Sequence, residues 1–489
     1  MEFEFKPKRL LTNLTSRELR KLAKHDEVPN KYGLPVYHTK TLSRSAGFTK
    51  IIYDPTSKDE ELLWKVKNFV SQQDFIEVMV MVGENKNNNF KACYWVTPSF
   101  ARLSYMMQEN FFPFSGGEPE IRVIQIPQWP ERRVLVFPNE GLTIILGIDY
   151  YGEAKMAVLR MAMHFMRDKR GGLGLHAGSK LYHLNINESL VTKGALIFGL
   201  SGTGKTTITC FNHNLKSPEG ITILQDDINM FTFSTYAYGT ERNFYIKTDN
   251  VTQQPDLLQA CLSSEAILEN VVVTPAGDID FDDFSISTNG RCIVQRKDIP
   301  NTSENIDLSS TDIILFNTRR YDIPPVGRFI SPAQCAAFLM LGESTITSAD
   351  DPSRVGESKR IVAFDPFIID NPHKNGNIFY NILNRNPHLQ GYLLNTGKIG
   401  GIEEGIKITP EVTFKIVEEI LRGTISWRYD PVIGYELAEE VPGLDISSFD
   451  PYNIYGKEKY KYMMESLQKE RREYLNKFEK LLPQIKEAI

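Results

Sequence analysis

Residues 198–207 read FGLSGTGKTT and come directly after the apolar run at 195–197. From Gly199 to Thr206 they fit the pattern G-x-x-x-x-G-K-[ST] without exception. Glycines at these positions let backbone N–H groups turn inward on phosphate oxygens. Lys205 then neutralises the outer phosphates, and the hydroxyl of Thr206 is offered to a magnesium ion. An apolar strand before the stretch and a helix from Lys205 onward indicate a nucleotide site.

We call residues 199–207 the phosphate loop. The residues predicted to bind the nucleotide through this loop are Gly199, Leu200, Ser201, Gly202, Thr203, Gly204, Lys205, Thr206 and Thr207.

Paired acids follow the next predicted strand, which covers 221–224 and leads to Asp226-Asp227. Taken alone, such a pair is usually a turn. Placed after a phosphate loop and an apolar run, it becomes a candidate for binding one or two divalent cations together with Thr206. Paired acids beside ATP predict phosphoryl transfer or hydrolysis, without specifying the acceptor.

The composition is ordinary for a globular protein of more than one domain. The chain has 489 residues, of which 41% are hydrophobic and 24% charged, and its formal net charge is -5. This length exceeds one compact core, and the acidic balance argues against nucleic-acid binding as the main role. The five cysteines are scattered without a C-x-x-C pair, which favours reduced thiols in a cytosolic protein.

The opening MEFEFKPKR lacks the apolar core of a signal peptide. No apolar run in the sequence is long enough to span a bilayer. We therefore expect a cytoplasmic protein with no membrane partner.

Short strands alternate with helices in the first part of the chain. Apolar, β-rich runs predict strands at 76–82 and 133–137. Helical spacing of apolar residues predicts helices at 98–112 and 152–169. The second helix ends at Gly171-Gly172, which we take as the boundary between two domains.

The expected domains are therefore residues 1–171, a mixed α/β domain, and residues 172–489, which hold the nucleotide and metal candidates. The final stretch, Lys457–Ile489, has the pattern of one charged amphipathic helix packed on its domain.

The stretch GLSGTGKTT is more specific than a general phosphate loop, because it resembles that of the ATP-dependent phosphoenolpyruvate carboxykinases. Other landmarks of that family recur here in the family's order, from about residue 40 to the C-terminus. They are VTPSFARLSYMMQENFF at 96–112, DYYGEAKM at 149–156, ILENV at 267–271, DIDFDD at 278–283, PPVGR at 324–328, LLNTG at 393–397 and PGLDISSFDPYNIY at 442–455. The shared order, more than any single piece, carries the resemblance.

The resemblance implies an α/β fold of two domains, with a mixed α/β N-terminal domain on the substrate side and a P-loop mononucleotide-binding C-terminal domain. The active site would lie in the cleft between them. The implied reaction converts oxaloacetate and ATP to phosphoenolpyruvate, CO2 and ADP, as in gluconeogenesis, with ATP, Mg2+ and Mn2+ as cofactors. Decarboxylation leaves an enolate that cations must stabilise until it attacks the γ-phosphate, which explains a site rich in arginine, lysine and metal.

Residues of this chain take the family's site roles where the motifs match. The implied catalytic and substrate-binding residues are Arg44, Tyr150, Gly152, Lys155, Ser201 and Arg328. Arg328 matches the arginine that bridges substrate and γ-phosphate, a role suited to a guanidinium. The implied adenine and ribose contacts are Lys407, Ile408 and Thr413. The implied ligands of the transition metal are His176 and Asp227, and Asp226 and Thr206 complete the metal candidates.

Four departures from the family pattern lie near the metal or the nucleotide. The family's second lysine, a neutral-amine ligand to manganese, is Met156 here, and a thioether is a weak ligand for a hard ion. The family's Glu-His after the paired acids is Ile228-Asn229, a glutamate offered to the nucleotide is Gln254, and a Gly-Gly pair is Arg242-Asn243. The nucleotide-binding residues are retained, whereas the set of metal ligands is reduced.

Two functions stay open from the sequence. The first, which we favour, is a divergent ATP-dependent phosphoenolpyruvate carboxykinase. The second is a kinase of the same fold that acts on another acceptor, or a regulatory nucleotide-binding paralogue with weak or no lyase activity. In either case the expected partner is a small-molecule substrate, oxaloacetate, phosphoenolpyruvate or another small acid, and no nucleic acid. The sequence does not give the oligomeric state; we favour a monomer.

Overall fold

The computed structural model describes residues 3–43, 46–346 and 352–489. The chain forms two compact units. The first unit comprises Met1–Phe165 and Thr240–Glu304, and the second comprises Met166–Gly239 and Asn305–Ile489.

The described part of the chain is mixed α/β. Its α-helices are α1 Ser16–Ala23, α2 Ser57–Gln72, α3 Ala101–Asn110, α4 Tyr151–Asp168, α5 Lys205–Cys210, α6 Pro255–Cys261, α7 Pro332–Leu341, α8 His373–Arg385, α9 Pro410–Arg422, α10 Pro451–Tyr455, α11 Lys457–Asn476 and α12 Pro483–Glu487. Its first fourteen strands are β1 Arg9–Leu11, β2 Val36–Tyr37, β3 Thr49–Ile51, β4 Asp74–Val82, β5 Phe90–Val96, β6 Phe112–Pro113, β7 Ile121–Ile126, β8 Arg133–Phe137, β9 Leu142–Leu146, β10 Leu173–Ile186, β11 Ser189–Gly199, β12 Gly220–Gln225, β13 Ile228–Phe231 and β14 Ala237–Gly239. The others are β15 Phe244–Lys247, β16 Ile267–Glu269, β17 Val272–Val273, β18 Ile279–Asp280, β19 Arg291–Val294, β20 Ile313–Thr318, β21 Val326–Arg328, β22 Glu343–Thr345, β23 Ser358–Arg360, β24 Gln390–Asn395, β25 Lys398–Ile399, β26 Ile406–Lys407, β27 Ser426–Asp430 and β28 Tyr435–Glu440.

The first unit is built on an eight-stranded mixed sheet with the order β1-β4-β5-β7-β9-β8-β3, in which β6 also pairs with β4. A second sheet has the order β15-β19-β16-β2. In it, β16 pairs in parallel with β2, with Leu268 opposite Val36. This pairing joins residues 240–304 to the N-terminal part of the chain. The structure therefore differs from the two continuous domains, 1–171 and 172–489, that the sequence suggested, because a later segment returns to complete an earlier sheet.

The second unit contains a ten-stranded sheet with the order β14-β13-β10-β11-β20-β24-β21-β28-β27, in which β12 also pairs with β10. Strands β11, β20 and β24 are adjacent and parallel. Their carboxyl ends therefore meet at one edge of the sheet, where ligands bind in open α/β sheets. The strand β10 lies antiparallel beside β11 and also pairs with both β12 and β13.

Several aromatic rings pack against one another in the core of this unit. The rings of Phe198 and Phe316 lie 5.0 Å apart on adjacent parallel strands. Phe364 stacks on Phe316 at 5.5 Å. Leu200, the second residue of the phosphate loop, is buried in the same cluster. The loop therefore starts from a rigid, packed base.

The strands predicted at 76–82 and 133–137 are confirmed as β4 and β8. The helix predicted at 152–169 is α4, and that at 98–112 is a short 3-10 turn followed by α3.

The single C-terminal helix predicted for Lys457–Ile489 is wrong, because α11 ends at Asn476 and α12 begins at Pro483. Proline lacks the N–H of a helix interior and pushes the residue before it out of the helical region, and Leu482 is extended with ψ 134°. Across the described ranges, no helix is both long and apolar enough to cross a membrane.

Candidate functional site

The phosphate loop joins the end of β11 to the start of α5. Gly202 and Gly204 have φ of 80° and 86°, in the left-handed region that favours glycine. At Gly199 a Cβ would lie 2.4 Å from the Oγ1 atom of Thr203, so a side chain there would disrupt the turn. The N–H and the hydroxyl of Thr203 both donate to the carbonyl of Leu200, at 3.1 and 2.8 Å. These contacts hold the compact turn from which N–H groups bind phosphate.

The cationic residue of the loop lies against the paired acids. Lys205 Nζ donates to the backbone carbonyl of Asp226 at 3.0 Å and lies 3.3 Å from Asp227 Oδ1. The hydroxyl of Thr206 donates to Asp226 Oδ2 at 3.2 Å. The loop and the acid pair, which the sequence predicted from two separate motifs, thus form one polar cluster in the second unit.

His176 completes this cluster. Its Nε2 atom lies 3.0 Å from Asp227 Oδ1. The register of β10 with β13 places His176 opposite Ile228, which is the neighbour of Asp227 in the chain. The convergence of His176 and Asp227 that the sequence predicted is confirmed.

A second hydrogen bond fixes the ring of His176. Its Nδ1 atom lies 2.7 Å from the carbonyl oxygen of Phe364. Because a carbonyl oxygen only accepts, Nδ1 donates to it, and Nε2 is the ring nitrogen that faces Asp227. The ring of Phe367 packs edge-on against the imidazole at 5.7 Å.

The spacing of His176 and Asp227 fits a shared cation. At 3.0 Å, Nε2 and the carboxylate oxygen can share a proton as a hydrogen bond or bind one metal ion together. Ligand bonds of about 2.0–2.2 Å that meet at roughly a right angle place two ligand atoms about 3 Å apart. A backbone carbonyl that orients the far nitrogen is the usual second partner of a metal-binding histidine.

Arg328 lies elsewhere in the same sheet, at the end of β21. It pairs across strands with Glu436 of β28, and its Nε atom donates to Glu436 Oε2 at 2.5 Å. The guanidinium lies 4.9 Å above the ring of Trp427. Since its terminal nitrogens form no hydrogen bond with any described residue, they remain able to bind an anion.

The predicted adenine and ribose contacts lie together after β24. Lys407 is exposed in the β25–β26 hairpin, and Ile408 is buried in a small apolar cluster. Thr413 is buried in α9, where its hydroxyl donates to the carbonyl of Thr409 at 3.2 Å. Nearby, Thr396 Oγ1 donates to the carbonyl of Thr203 at 2.8 Å, which ties this region to the phosphate loop.

The substrate-side motif lies in the first unit. Tyr150 is buried, and its hydroxyl accepts a hydrogen bond from Asn289 Nδ2 at 3.1 Å. The same amide donates to the carbonyl of Leu42 at 2.9 Å. At Gly152 a Cβ would lie 2.4 Å from the ring of Tyr150, which explains the glycine of the Tyr-x-Gly motif. Arg44, the candidate that follows Leu42, lies outside the described residues.

Asp149 anchors the segment that leads toward Arg44. Its carboxylate accepts the N–H groups of Lys40 and Thr41 at 3.0 and 2.9 Å. Arg102 Nη2 donates to the same carboxylate at 3.0 Å.

Lys155 is buried beside Glu241, with its Nζ atom 2.7 Å from Glu241 Oε1. The amide of Asn110 donates to the same oxygen at 2.8 Å. The sequence missed Glu241 and Asn289, because neither belongs to a motif with fixed spacing and both reach their partners only through the fold. Nothing short of the tertiary structure signals these two residues.

The structure shows what the residues at the four departures from the family pattern contact. Met156 is buried, as expected of an apolar residue in a helix. Asn229 Nδ2 donates to the carbonyl of Ala177 at 2.7 Å, and its Oδ1 accepts from Ser179 at 3.0 Å. Asn229 therefore joins β13 to β10.

The other two departures lie in the first unit. Asn243 Nδ2 donates to the carbonyl of Glu109 at 2.6 Å, and its Oδ1 accepts the N–H of Arg296 at 3.1 Å. Gln254 is the residue before α6. Asn229 and Asn243, the two asparagines that replace family residues, are thus buried and link separate segments of the chain through hydrogen bonds.

Together, the fold and the site define an α/β protein with a phosphate loop, paired acids and a histidine that lies 3.0 Å from one of these acids, Asp227. A family model described as phosphoenolpyruvate carboxykinase matches residues 56–447. The chain is 35% identical over 443 residues to the phosphoenolpyruvate carboxykinase (ATP) of Aeropyrum pernix, covering 90% of this chain and 89% of that protein. It is 30% identical over 381 residues to phosphoenolpyruvate carboxykinase (ATP) 1 of Salinibacter ruber, and these residues cover 73% of this chain and 67% of that protein. The phosphoenolpyruvate carboxykinase (ATP) of Paracoccus denitrificans is 26% identical over 361 residues, which cover 69% of this chain and 64% of that protein.

The chain belongs to the phosphoenolpyruvate carboxykinase family. The resemblance drawn from the sequence motifs is thereby confirmed.

Proposed function

We propose that this protein is an ATP-dependent phosphoenolpyruvate carboxykinase, which converts oxaloacetate and ATP to phosphoenolpyruvate, CO2 and ADP. The observation that carries the proposal is the cluster in the second unit, where Lys205 and His176 both approach Asp227, at 3.3 and 3.0 Å. A nucleotide site and a candidate metal pair that share one carboxylate suit phosphoryl transfer better than simple nucleotide storage. The two-domain arrangement with the active site in the cleft, which the family resemblance implies, is part of this proposal.

ATP would bind through the phosphate loop. Its N–H groups would surround the phosphates, and Lys205 would exchange its contact with Asp227 for a phosphate oxygen. Thr206 and Asp226, which are already hydrogen-bonded at 3.2 Å, would hold the Mg2+ that accompanies the nucleotide. Lys407, Ile408 and Thr413 would receive the adenosine.

A second divalent cation, which we propose to be Mn2+, would be held by His176 and Asp227. Imidazole nitrogen together with a carboxylate suits a transition ion better than Mg2+, which prefers oxygen ligands. When bound, such an ion supplies a Lewis acid near the reacting oxygens.

The chain's own cations would bind the substrate's negative charge. Arg328 is held by Glu436 through Nε and can offer its terminal nitrogens to a carboxylate or phosphate. Lys155 is positioned by Glu241, and Tyr150 by Asn289. We propose that these three residues, with Arg44 and Ser201, bind and orient oxaloacetate for decarboxylation and phosphoryl transfer.

Met156 supports one alternative, a kinase that acts on another acceptor. The family's lysine ligand is absent at this position, and the methionine is only 4% exposed. Without that ligand the site would hold the metal with fewer protein atoms. The phosphate loop and the paired acids would serve a different acceptor equally well.

Turnover and ATP binding test the proposal together. We would assay phosphoenolpyruvate formation from oxaloacetate and ATP with Mg2+ and Mn2+, and the ATP-induced rise in melting temperature. Lys205→Ala should abolish both, whereas Lys216→Ala, an exposed lysine of the same unit, should leave both unchanged. Equal behaviour of the two variants would refute the nucleotide site. ATP binding without phosphoenolpyruvate formation in the parent would favour the alternative kinase.

A further inference from the structure

Asn317 is a buried asparagine whose side-chain amide has no hydrogen-bond partner in the described part of the chain. It lies near the carboxyl end of β20 and is 0% exposed. Neither its Oδ1 nor its Nδ2 atom has a hydrogen-bond partner among the described residues. A buried amide without a partner is costly, so such a residue in a core strand calls for an explanation.

The position of Asn317 points to the phosphate loop. Asn317 is in register with Gly199, the first residue of the loop, on the adjacent parallel strand. Residues in register on neighbouring strands project from the same face of the sheet. A Cβ at Gly199 would lie 3.2 Å from the Cβ of Asn317 and 3.5 Å from the Cβ of Lys205. The amide therefore lies on the face of the sheet that carries the loop and the start of α5.

Nucleotide binding would change the hydrogen bonds that the side chains of the loop now make. Lys205 Nζ is now bonded to Asp226 and close to Asp227. The hydroxyl of Thr203 is bonded to Leu200 inside the turn. Phosphate binding would redirect Lys205, and the loop atoms beside Gly199 would shift with it.

We propose that Asn317 is a positioning residue of the phosphate loop, whose amide hydrogen-bonds to the loop through Thr203 and Lys205 when nucleotide is bound. The inference rests on the proposed nucleotide site. It assigns to the unpartnered amide a role that the motifs of the sequence do not contain. The cost of the unpartnered amide falls on the nucleotide-free protein and is relieved on ATP binding, which strengthens that binding.

Thr318 provides a matched control. It follows Asn317 in the same strand, is also 0% exposed, and its Oγ1 atom likewise has no partner among the described residues. Because side chains alternate along a strand, it projects from the opposite face of the sheet. Thr318→Val therefore removes an unpartnered buried polar atom without touching the loop side.

The test compares Asn317→Leu, Asn317→Ala and Thr318→Val in the full chain. Without nucleotide, Asn317→Leu and Thr318→Val should melt as the parent does or roughly 2–4 °C higher, because a buried unpartnered group is removed. Asn317→Ala should melt lower, because it leaves a cavity. The affinity for ATP with Mg2+ should fall roughly ten- to a hundredfold in both Asn317 variants, as for a lost hydrogen bond near charged groups.

Steady-state kinetics distinguish a role of Asn317 in positioning the phosphate loop from a general loss of stability. The KM for ATP should rise in both Asn317 variants while the KM for oxaloacetate stays at the parent value. Parental ATP affinity in Asn317→Leu and Asn317→Ala would overturn the inference and leave the amide with an internal water as partner. Equal loss in Thr318→Val would overturn it too, since the effect would then belong to β20 as a whole. If the parent itself shows no ATP response, the proposed nucleotide site fails and this inference fails with it.

Discussion

His176 Nε2 lies 3.0 Å from Asp227 Oδ1, while Nδ1 of the same ring is hydrogen-bonded to the carbonyl of Phe364 at 2.7 Å. The backbone contact orients the ring with Nε2 toward the carboxylate, and the register of β10 with β13 brings the two residues together. The pair is thereby arranged before any ligand arrives, which is the requirement for a site that binds a cation without rearrangement.

Replacing His176 with alanine should weaken Mn2+ binding. Loss of a ligand costs at least the ten- to hundredfold in affinity that is typical of losing a second-shell partner. The affinity can be measured from the electron paramagnetic resonance signal of free Mn2+ during titration. His183→Ala is the control, because His183 lies on the same strand and, among the described residues, its ring bonds to the hydroxyls of Thr192 and Thr222. Equal Mn2+ affinity in the two variants would contradict the metal assignment.

Met156→Lys should increase manganese-dependent turnover of oxaloacetate. A nearby dication lowers the pKa of a lysine enough for the neutral amine to act as a ligand, which the methionine thioether does poorly. Met156→Leu keeps the site apolar and should match the parent. Phosphoenolpyruvate formation with ATP and Mn2+ is the measurement. A lysine variant that folds, binds ATP and gains nothing would show that the substrate pocket itself has changed.

Lys155→Met should destabilise the first unit, because it removes the ammonium group that lies 2.7 Å from the buried carboxylate of Glu241. Breaking a buried ion pair by removing one partner costs about 3–5 kcal/mol in the free energy of unfolding. Adding Glu241→Gln should recover part of this loss, because the amide carries no charge. Urea denaturation of the three proteins measures both effects. A single variant as stable as the parent would show that the pair at 2.7 Å contributes little.

The pH dependence of stability should show the titration of Glu269. Burial raises the pKa of Glu269 to about 7, and the guanidinium of Arg102 opposes this rise; Asp149 and Tyr245 also face the carboxyl group. A raised folded-state pKa means that the native state prefers the protonated acid. The stability from this preference is fully present below the ordinary value of 4.5 and is lost as the pH rises through about 7.

Glu269→Gln removes that titration. Relative to the variant, the parent should lose about 3 kcal/mol of unfolding free energy between pH 4.5 and 8, since each pKa unit corresponds to about 1.4 kcal/mol. Parallel stability curves for the two proteins across this range would contradict the raised pKa.

The sequence predicted where two local segments lie, the loop between β11 and α5 and the acid pair after β12. The phosphate loop and the paired acids are each encoded within a few residues, so both can be recognised from spacing alone, and their roles in binding nucleotide and metal stay predictions. The convergence of His176 with Asp227 was predicted through the family resemblance, and its structural cause is the pairing of β10 with β13.

Long-range relationships were not predictable in the same way. The return of residues 240–304 to the first unit depends on the pairing of β16 with β2, which are separated by most of the N-terminal half of the chain. The partners of Lys155 and Tyr150 are Glu241 and Asn289, and no periodic pattern marks either one. Such contacts depend on topology, which a local pattern does not contain.

The identity of the reaction products tests the proposed carboxykinase activity most directly. Oxaloacetate, ATP, Mg2+ and Mn2+ would be incubated with the parent protein, and phosphorus NMR would follow the phosphorylated species while released CO2 is measured. We expect phosphoenolpyruvate, ADP and CO2 in equal amounts, and none above background with Lys205→Ala. ATP that binds but yields no phosphoenolpyruvate, or a phosphorylated product formed without CO2 release, would contradict it.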